Sequence, residues 1–462
     1  MLSATRRWLR RNRTPIAVGA GVVGAGYIAA RYVLGKISDA RERMSSDRIA
    51  KENLRRRFEQ NQEDCTFTVL ALLPTAATNI IEAMNTEQIT YQIQQMKARP
   101  LTSSAPPSIA DTTLTDDDGQ SSLAATAPPD PAPTTDGTKR KTKRQLWDEL
   151  AMSSITRSYT LLYTLALLTM FTRIQLNLLG RRSYLSSVVA LATGSAQAAI
   201  GLEDNDDGGS DRLSYGSDFE INRRYLTLSW WLLNKGWVDV RTRVEAAVAR
   251  AFGHLSPRDD LSLEAFGALT SRVRGEVETG AGWLGFLLPP VGEEESVLRM
   301  SGILGDRAAA LDESAVVVPP ATETVPSALR RLVDETSDLI DSPCFTHVLG
   351  LLLDAGFGAM ADGELAETVF AASPDGVTPK TVQLPKILSS LTRQAHAIGN
   401  AMPNRYLQSM ESVRDLEAFA AVVYSSNWEN EMKDNSASTV LVPAAQSSFE
   451  GAWGRATTER QS

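Results

Sequence analysis

Gly19-Ala20-Gly21-Val22-Val23-Gly24 spells G-x-G-x-x-G, the spacing that lets a dinucleotide pyrophosphate approach a helix N-terminus. That chemistry needs a buried strand just before the glycines and a second one within roughly 30 residues. Arg10–Arg13 stand where the first would begin, and Ile37–Phe58 is too charged to be the second. Ala17, Gly21, Ala25 and Ala29 recur every fourth position, which instead suits a membrane helix that packs closely on another helix. His254, His347 and His396 are scattered without ligand spacing and read as surface or structurally satisfied residues. Cys65 and Cys344, the only cysteines, suggest a reducing compartment and supply neither a disulfide framework nor a zinc motif. No G-x-S-x-G, P-loop or H-E-x-x-H occurs, so nothing in the motifs argues for an enzyme. Trp147 has Lys143 and Arg144 one turn before it and Leu150 about one turn after it. A lone tryptophan reads as core by default.

The glycines sit in a run that has its own meaning. Arg6, Arg7, Arg10, Arg11 and Arg13 precede Pro15–Ala30, which carries no charged side chain. With Arg31 snorkelling, the run reaches Leu34 and matches the roughly 20 residues that a bilayer core requires. No later segment looks like a second convincing span. A mitochondrial presequence fits the same composition, since the first acidic residue is Asp39, and composition leaves both readings standing. The 462 residues carry a net charge of −8 despite this basic start, so the aqueous part is acidic and nucleic acid is not an expected partner.

Helical patterning dominates the rest, and the expected class is all-α: a twisted bundle of long helices behind one N-terminal transmembrane helix. Between Lys36 and Phe58 charges alternate in sign. Cys65–Leu73 is apolar and is expected to stop at Pro74. Thr86–Met96 reads as a further helix, as do Phe219–Trp237, Val238–Phe252, Ser262–Val277, Ser327–Leu339, Lys386–Ile398 and Ser412–Tyr424. Ser158–Thr172, free of charge between Arg157 and Arg173, is short for a bilayer and reads as a buried central helix. The polar residues that follow, Arg173-Ile174-Gln175-Leu176-Asn177, would then need hydrogen-bond partners near the core. Residues 101–142 are Ser, Thr, Ala, Asp and Pro without periodicity and read as a disordered loop. Glu203–Arg212 and Ala308–Pro326 read as shorter irregular connections. The expected plan is a basic tail over 1–13, a span over 14–34, a cytosolic bundle over 35–430 and a C-terminal tail over 431–462.

Four sets of residues carry a family resemblance. Arg57-Phe58-Glu59-Gln60-Asn61-Gln62, Cys65 and Thr68–Thr75 form the first. Leu146–Leu150, Thr156-Arg157-Ser158 and Arg173–Gly180 form the second. Glu335-Thr336, Asp338, Ser342-Pro343, Phe345, Val348-Leu349 and Gly356-Phe357 form the third. Gln394-Ala395-His396, Pro403, Ala418-Phe419-Ala420 and Tyr424 form the fourth. In this order they resemble the peroxisomal biogenesis factor 3 family, over nearly the whole chain. The 101–142 stretch departs from it, being much longer than its counterpart in animal members.

The resemblance implies a non-enzymatic docking protein of the peroxisomal membrane, without cofactor. It would face the cytosol with its helical bundle and receive peroxisomal biogenesis factor 19, the chaperone of newly made peroxisomal membrane proteins. The partner's amphipathic helix would lie in a groove at Trp147, with Leu150, Lys143, Met96, Lys97 and Lys386 as further candidate contacts. Lys386 is the match that depends on a gap. Trp230, Trp231, Trp237 and Trp283 are read as packing residues. Charge bias around the span is weak, because Arg31, Lys36, Arg41 and Arg43 follow it, so orientation rests on the resemblance. Peroxisomal membrane lipid and inheritance or pexophagy factors are further partner classes that it suggests. The alternatives are a mitochondrial single-span scaffold and a membrane-anchored nucleotide-dependent oxidoreductase.

Overall fold

The computed structural model describes residue 48 and residues 51–98, 141–192, 211–280, 282–302, 327–370 and 381–427. Outside these lie the expected tail and span over 1–34, all of the 101–142 loop except its last two residues, Glu203–Ser210, Ala308–Pro326 and the tail over 431–462. The described chain is almost wholly helical. Its main helices are α1 (residues 51–83), α2 (Thr86–Ala98), α3 (Lys143–Ala192), α4 (Asp211–Thr227), α5 (Trp237–Phe252), α6 (Leu263–Glu278), α7 (Ser327–Ile340), α8 (Pro343–Gly358), α9 (Leu384–Asn400), α10 (Arg405–Glu411) and α11 (Arg414–Ser425). One antiparallel pair of two-residue strands, Asp260–Leu261 with Val382–Gln383, is the only sheet among the described residues.

Two compact units emerge. The larger comprises Phe67–Gln175 and Asp207–Ala420. Its axis is α3, where every residue from Ser154 to Gln175 is buried. The charge-free stretch is thus a core helix, stabilised by side chains that each contribute about 1.5–3 kcal/mol when fully buried. Several of its polar groups are tied to neighbouring helices, while the buried hydroxyls of Thr156, Thr160 and Thr164 find no partner among the described residues. The Tyr159 hydroxyl lies 2.6 Å from Thr270 Oγ1, Ser158 Oγ donates to the Leu391 carbonyl at 3.0 Å, and Gln175 Nε2 donates to the Tyr225 carbonyl at 2.9 Å. Arg173 pairs with Glu411 at 3.3 Å. Trp231, Trp237 and Trp283 are buried in this unit and Trp230 is half-buried.

The smaller unit comprises Met1–Thr66, Leu176–Asp206 and Ala421–Ser462. In its described part, Asn61 and Gln62 both donate to Asn177 Oδ1, at 2.9 and 2.8 Å. Phe58 meets Tyr424 edge-on, and the fully buried Arg181 donates to the Ser426 carbonyl at 2.6 Å.

Three local expectations are corrected. The first helix does not stop at Pro74 but runs on to residue 83. A mid-helix proline costs about 3 kcal/mol, and Leu73, Ala76, Ala77 and Ile80, all buried around it, outweigh that cost. Phe219–Trp237 is not one regular helix. Leu232–Gly236 forms a π-turn, and a Cβ on Gly236 would lie 2.0 Å from the Phe286 carbonyl oxygen, so only glycine fits this approach. Ser412–Tyr424 starts later, as α11, and is preceded by α10, whose cap Asn404 accepts from the Tyr406 and Leu407 amides. Sequence patterning also missed α8, although Ser342-Pro343 is a cap followed by an N1 proline: Ser342 Oγ accepts from the Phe345 amide at 3.2 Å.

Three helical stretches among the described residues are long and apolar enough to cross a membrane by length and composition: Lys51–Met96, Lys143–Ser187 and Pro343–Thr368. The most apolar window of the second is 94% buried within the protein, whereas those of the first and third are 33% and 44% buried. For Lys143–Ser187 the apolar character belongs to the core.

Candidate docking site

Two helices of the larger unit build the site, and each starts with a cap. Asn85 Oδ1 accepts from the Gln88 amide at 2.9 Å, opening α2 directly after α1 breaks off at Met84. Thr142 and Gln145 form a capping box at the start of α3: Thr142 Oγ1 accepts from the Gln145 amide and Gln145 Oε1 accepts from the Thr142 amide. The box was legible in the sequence as Thr142-x-x-Gln145.

From α2, Ile89, Ile93 and Met96 fall at i, i+4 and i+7 and share one face. From α3 come Leu146, Trp147 and Leu150. Ile93, Leu146 and Leu150 are buried together, with Ile89 and Trp147 packed half-buried against them. Met96 continues the stripe and is 42% exposed. Trp147 is therefore neither sealed, as Trp237 and Trp283 are, nor free. It lies on an apolar floor with part of its ring open to solvent. Leu150, expected as a contact, belongs to that floor and is 7% exposed.

Charge at the site is positive. Lys143 and Arg144 are exposed in the first turn of α3 and form no ion pair with any described residue, while Lys141 pairs with Glu149 at 2.6 Å. Cations at a helix N-terminus oppose the macrodipole, typically by about 0.3–1 kcal/mol each. Their placement does not serve helix stability. Lys386 is exposed on α9, six residues before Thr392, whose carbonyl accepts from Arg157 of α3. Lys97 lies in α2, and its side chain falls outside the described residues.

Behind the floor, a buried arginine joins the pieces. Arg157 is fully buried, and its guanidinium grips Glu87 with Nη1 2.9 Å from Oε2 and Nη2 3.0 Å from Oε1. It also donates to the Met84 and Thr392 carbonyls, both at 3.4 Å. His396 Nε2 stands 3.1 Å from Glu87 Oε1. Partial burial works against the Glu87 carboxylate and is the largest single influence, but the hydrogen bonds from Arg157, from the backbone and from His396, together with the Arg157 charge, hold its pKa down at about 2. The other two histidines, His254 and His347, are exposed, and no group of His, Cys, Asp and Glu able to hold a metal occurs among the described residues.

The site is thus a half-open tryptophan on a two-helix apolar floor, with Lys143 and Arg144 exposed one turn before it. The Peroxin-3 family model matches residues 7–426 of the chain. The chain belongs to the Peroxin-3 family. It is 37% identical over 451 residues to "Peroxisomal biogenesis factor 3" of Yarrowia lipolytica, covering 91% of this chain and 98% of that one. It is 26% identical over 468 residues to "Peroxisomal membrane protein PEX3" of Komagataella phaffii, covering 92% and 99%. The Bos taurus "Peroxisomal biogenesis factor 3" is 23% identical over 436 residues, covering 92% and 98%. Membership of the Peroxin-3 family gives the chain a role in peroxisome biogenesis, and the relatives' names point to the peroxisomal membrane.

Proposed function

We propose that this chain is a docking receptor of the peroxisomal membrane, held by one N-terminal span with its helical body in the cytosol. Its partner is the chaperone peroxisomal biogenesis factor 19, whose amphipathic helix docks against Trp147 and so delivers membrane proteins for insertion. The observation that carries the reading is the half-buried Trp147 on the Ile89–Ile93–Leu146–Leu150 floor, with Met96 exposed at the end of the stripe. An amphipathic helix laid in such a groove gains most of its affinity from a few apolar anchors. Lys143 and Arg144, reinforced by the α3 N-terminus, attract an acidic segment.

The test is a calorimetric titration of the chaperone's N-terminal helical peptide into the full chain and its variants. Trp147→Ala is expected to weaken binding by about 2–4 kcal/mol, roughly 30- to 1000-fold, without a matching drop in thermal midpoint. Lys143→Glu is expected to slow association and flatten its salt dependence. If Trp147→Ala lowers the midpoint sharply while the folded fraction binds at wild-type affinity, Trp147 is core and the docking site lies elsewhere.

A further inference from the structure

The docking floor is made by two helices, and only one of them, α3, is anchored in the core along most of its length. The other, α2, is a 13-residue helix that begins where α1 breaks at Met84 and Asn85. Arg157 touches both sides of that break: the Met84 carbonyl before it and the Glu87 carboxylate after it. Through Thr392 and His396 the same cluster reaches α9.

We propose that the Arg157–Glu87 pair, capped by His396, positions α2 and thereby sets the width of the docking groove. This rests on the docking reading above. Met96 lies nine residues beyond Glu87, about 13 Å along the helix at 1.5 Å per residue. A tilt of α2 by about 10° at the clamp would move Met96 by about 2 Å, comparable to the radius of a methyl group, and so change the width of the groove at that end. The pair has the geometry for such a role. Its fork is bidentate, which fixes direction as well as distance, and the guanidinium is fully buried, although the Glu87 carboxylate stays half-exposed. Neither Arg157 nor Glu87 needs to touch the partner. They are positioning residues.

The experiment uses the full chain in detergent micelles, labelled with 5-fluorotryptophan at its eight tryptophans, with the Trp147 resonance assigned by Trp147→Phe. Glu87→Gln keeps the shape and removes the charge. It is expected to weaken binding of the helical peptide about 5- to 20-fold and to broaden or split the Trp147 resonance while leaving the other seven in place. Glu87→Asp keeps Arg157 compensated and shortens the reach by one methylene, so a smaller loss in the same direction is expected even if Glu87→Gln folds poorly. Wild-type affinity in both Glu87 variants, with binding lost in Trp147→Ala, overturns the positioning role and leaves the docking reading intact. Weaker binding with an unmoved Trp147 resonance overturns it as well. Wild-type affinity in Trp147→Ala removes the docking reading and the positioning role together.

Discussion

Gly399 near the end of α9 and Ala77 in α1 offer a reciprocal test of how closely two helices of the larger unit pack. A Cβ built on Gly399 would lie 2.5 Å from the Ala77 Cβ and 3.8 Å from its Cα. Carbon atoms prefer about 3.5–4.0 Å, so Gly399→Ala forces a separation of roughly 1–1.5 Å. Alanine 77 has no rotamer with which to yield, so the displacement falls on the helices themselves. Overpacking of this kind costs about 1–3 kcal/mol, offset by somewhat less than about 1 kcal/mol of helix propensity gained close to the helix end. Ala77→Gly removes a methyl from a fully buried site and places glycine mid-helix, a loss of about 1.5–2 kcal/mol. Together the two changes only transfer the methyl from one helix to the other. The double variant is therefore expected to be more stable than the sum of the single losses by about 1–2 kcal/mol. Urea unfolding of the four proteins, followed by helical circular dichroism, measures the cycle; about 1–2 °C of thermal midpoint per kcal/mol, for a unit of this size, is the parallel readout. Strict additivity, or a stabilising Gly399→Ala, would refute the contact.

Two further expectations concern the same unit. Because Glu87 has its folded pKa lowered to about 2, its contribution is complete above the unfolded value near 4.5 and is lost as pH falls from there towards 2. Screening at this half-exposed carboxylate leaves about 1–2 kcal/mol, so the wild type should lose stability between pH 5 and 3 more steeply than Glu87→Gln in parallel urea titrations; equal slopes would contradict the pairing with Arg157. Pro74→Ala restores a mid-helix amide at an exposed position and should raise stability by about 1–2 kcal/mol, net of the proline's effect on the unfolded chain; a lower thermal midpoint would mean that the bend at Pro74 is needed for packing.

Much of the architecture follows from local pattern. The charge-free Ser158–Thr172 announced the core of α3 because a long run of apolar side chains without a charged face can only be stable when surrounded. Thr86–Met96 anticipated α2 nearly to the residue, since its cap and its stop are local events. Pro74 misled for the same reason: proline's cost is local, but the burial that overrides it comes from other parts of the chain. At the candidate site, Trp147, Lys143 and Met96 were named through the family resemblance, and an i, i+4, i+7 reading would have added Ile89 and Ile93.

What the sequence determined alone was composition-borne: an all-α chain, an apolar N-terminal run of bilayer length, and no motif for catalysis. Tertiary structure decided which tryptophans stay half-open and which partners a buried charge finds. Trp147, Trp237 and Trp283 are the same side chain, and only the elements packed around each fix its exposure. Arg157 and Glu87 are 70 residues apart, and His396 is 309 from Glu87. No local periodicity encodes such a meeting, because the free energy of an ion pair made by a buried arginine depends on where the fold brings both groups and on what water it removes.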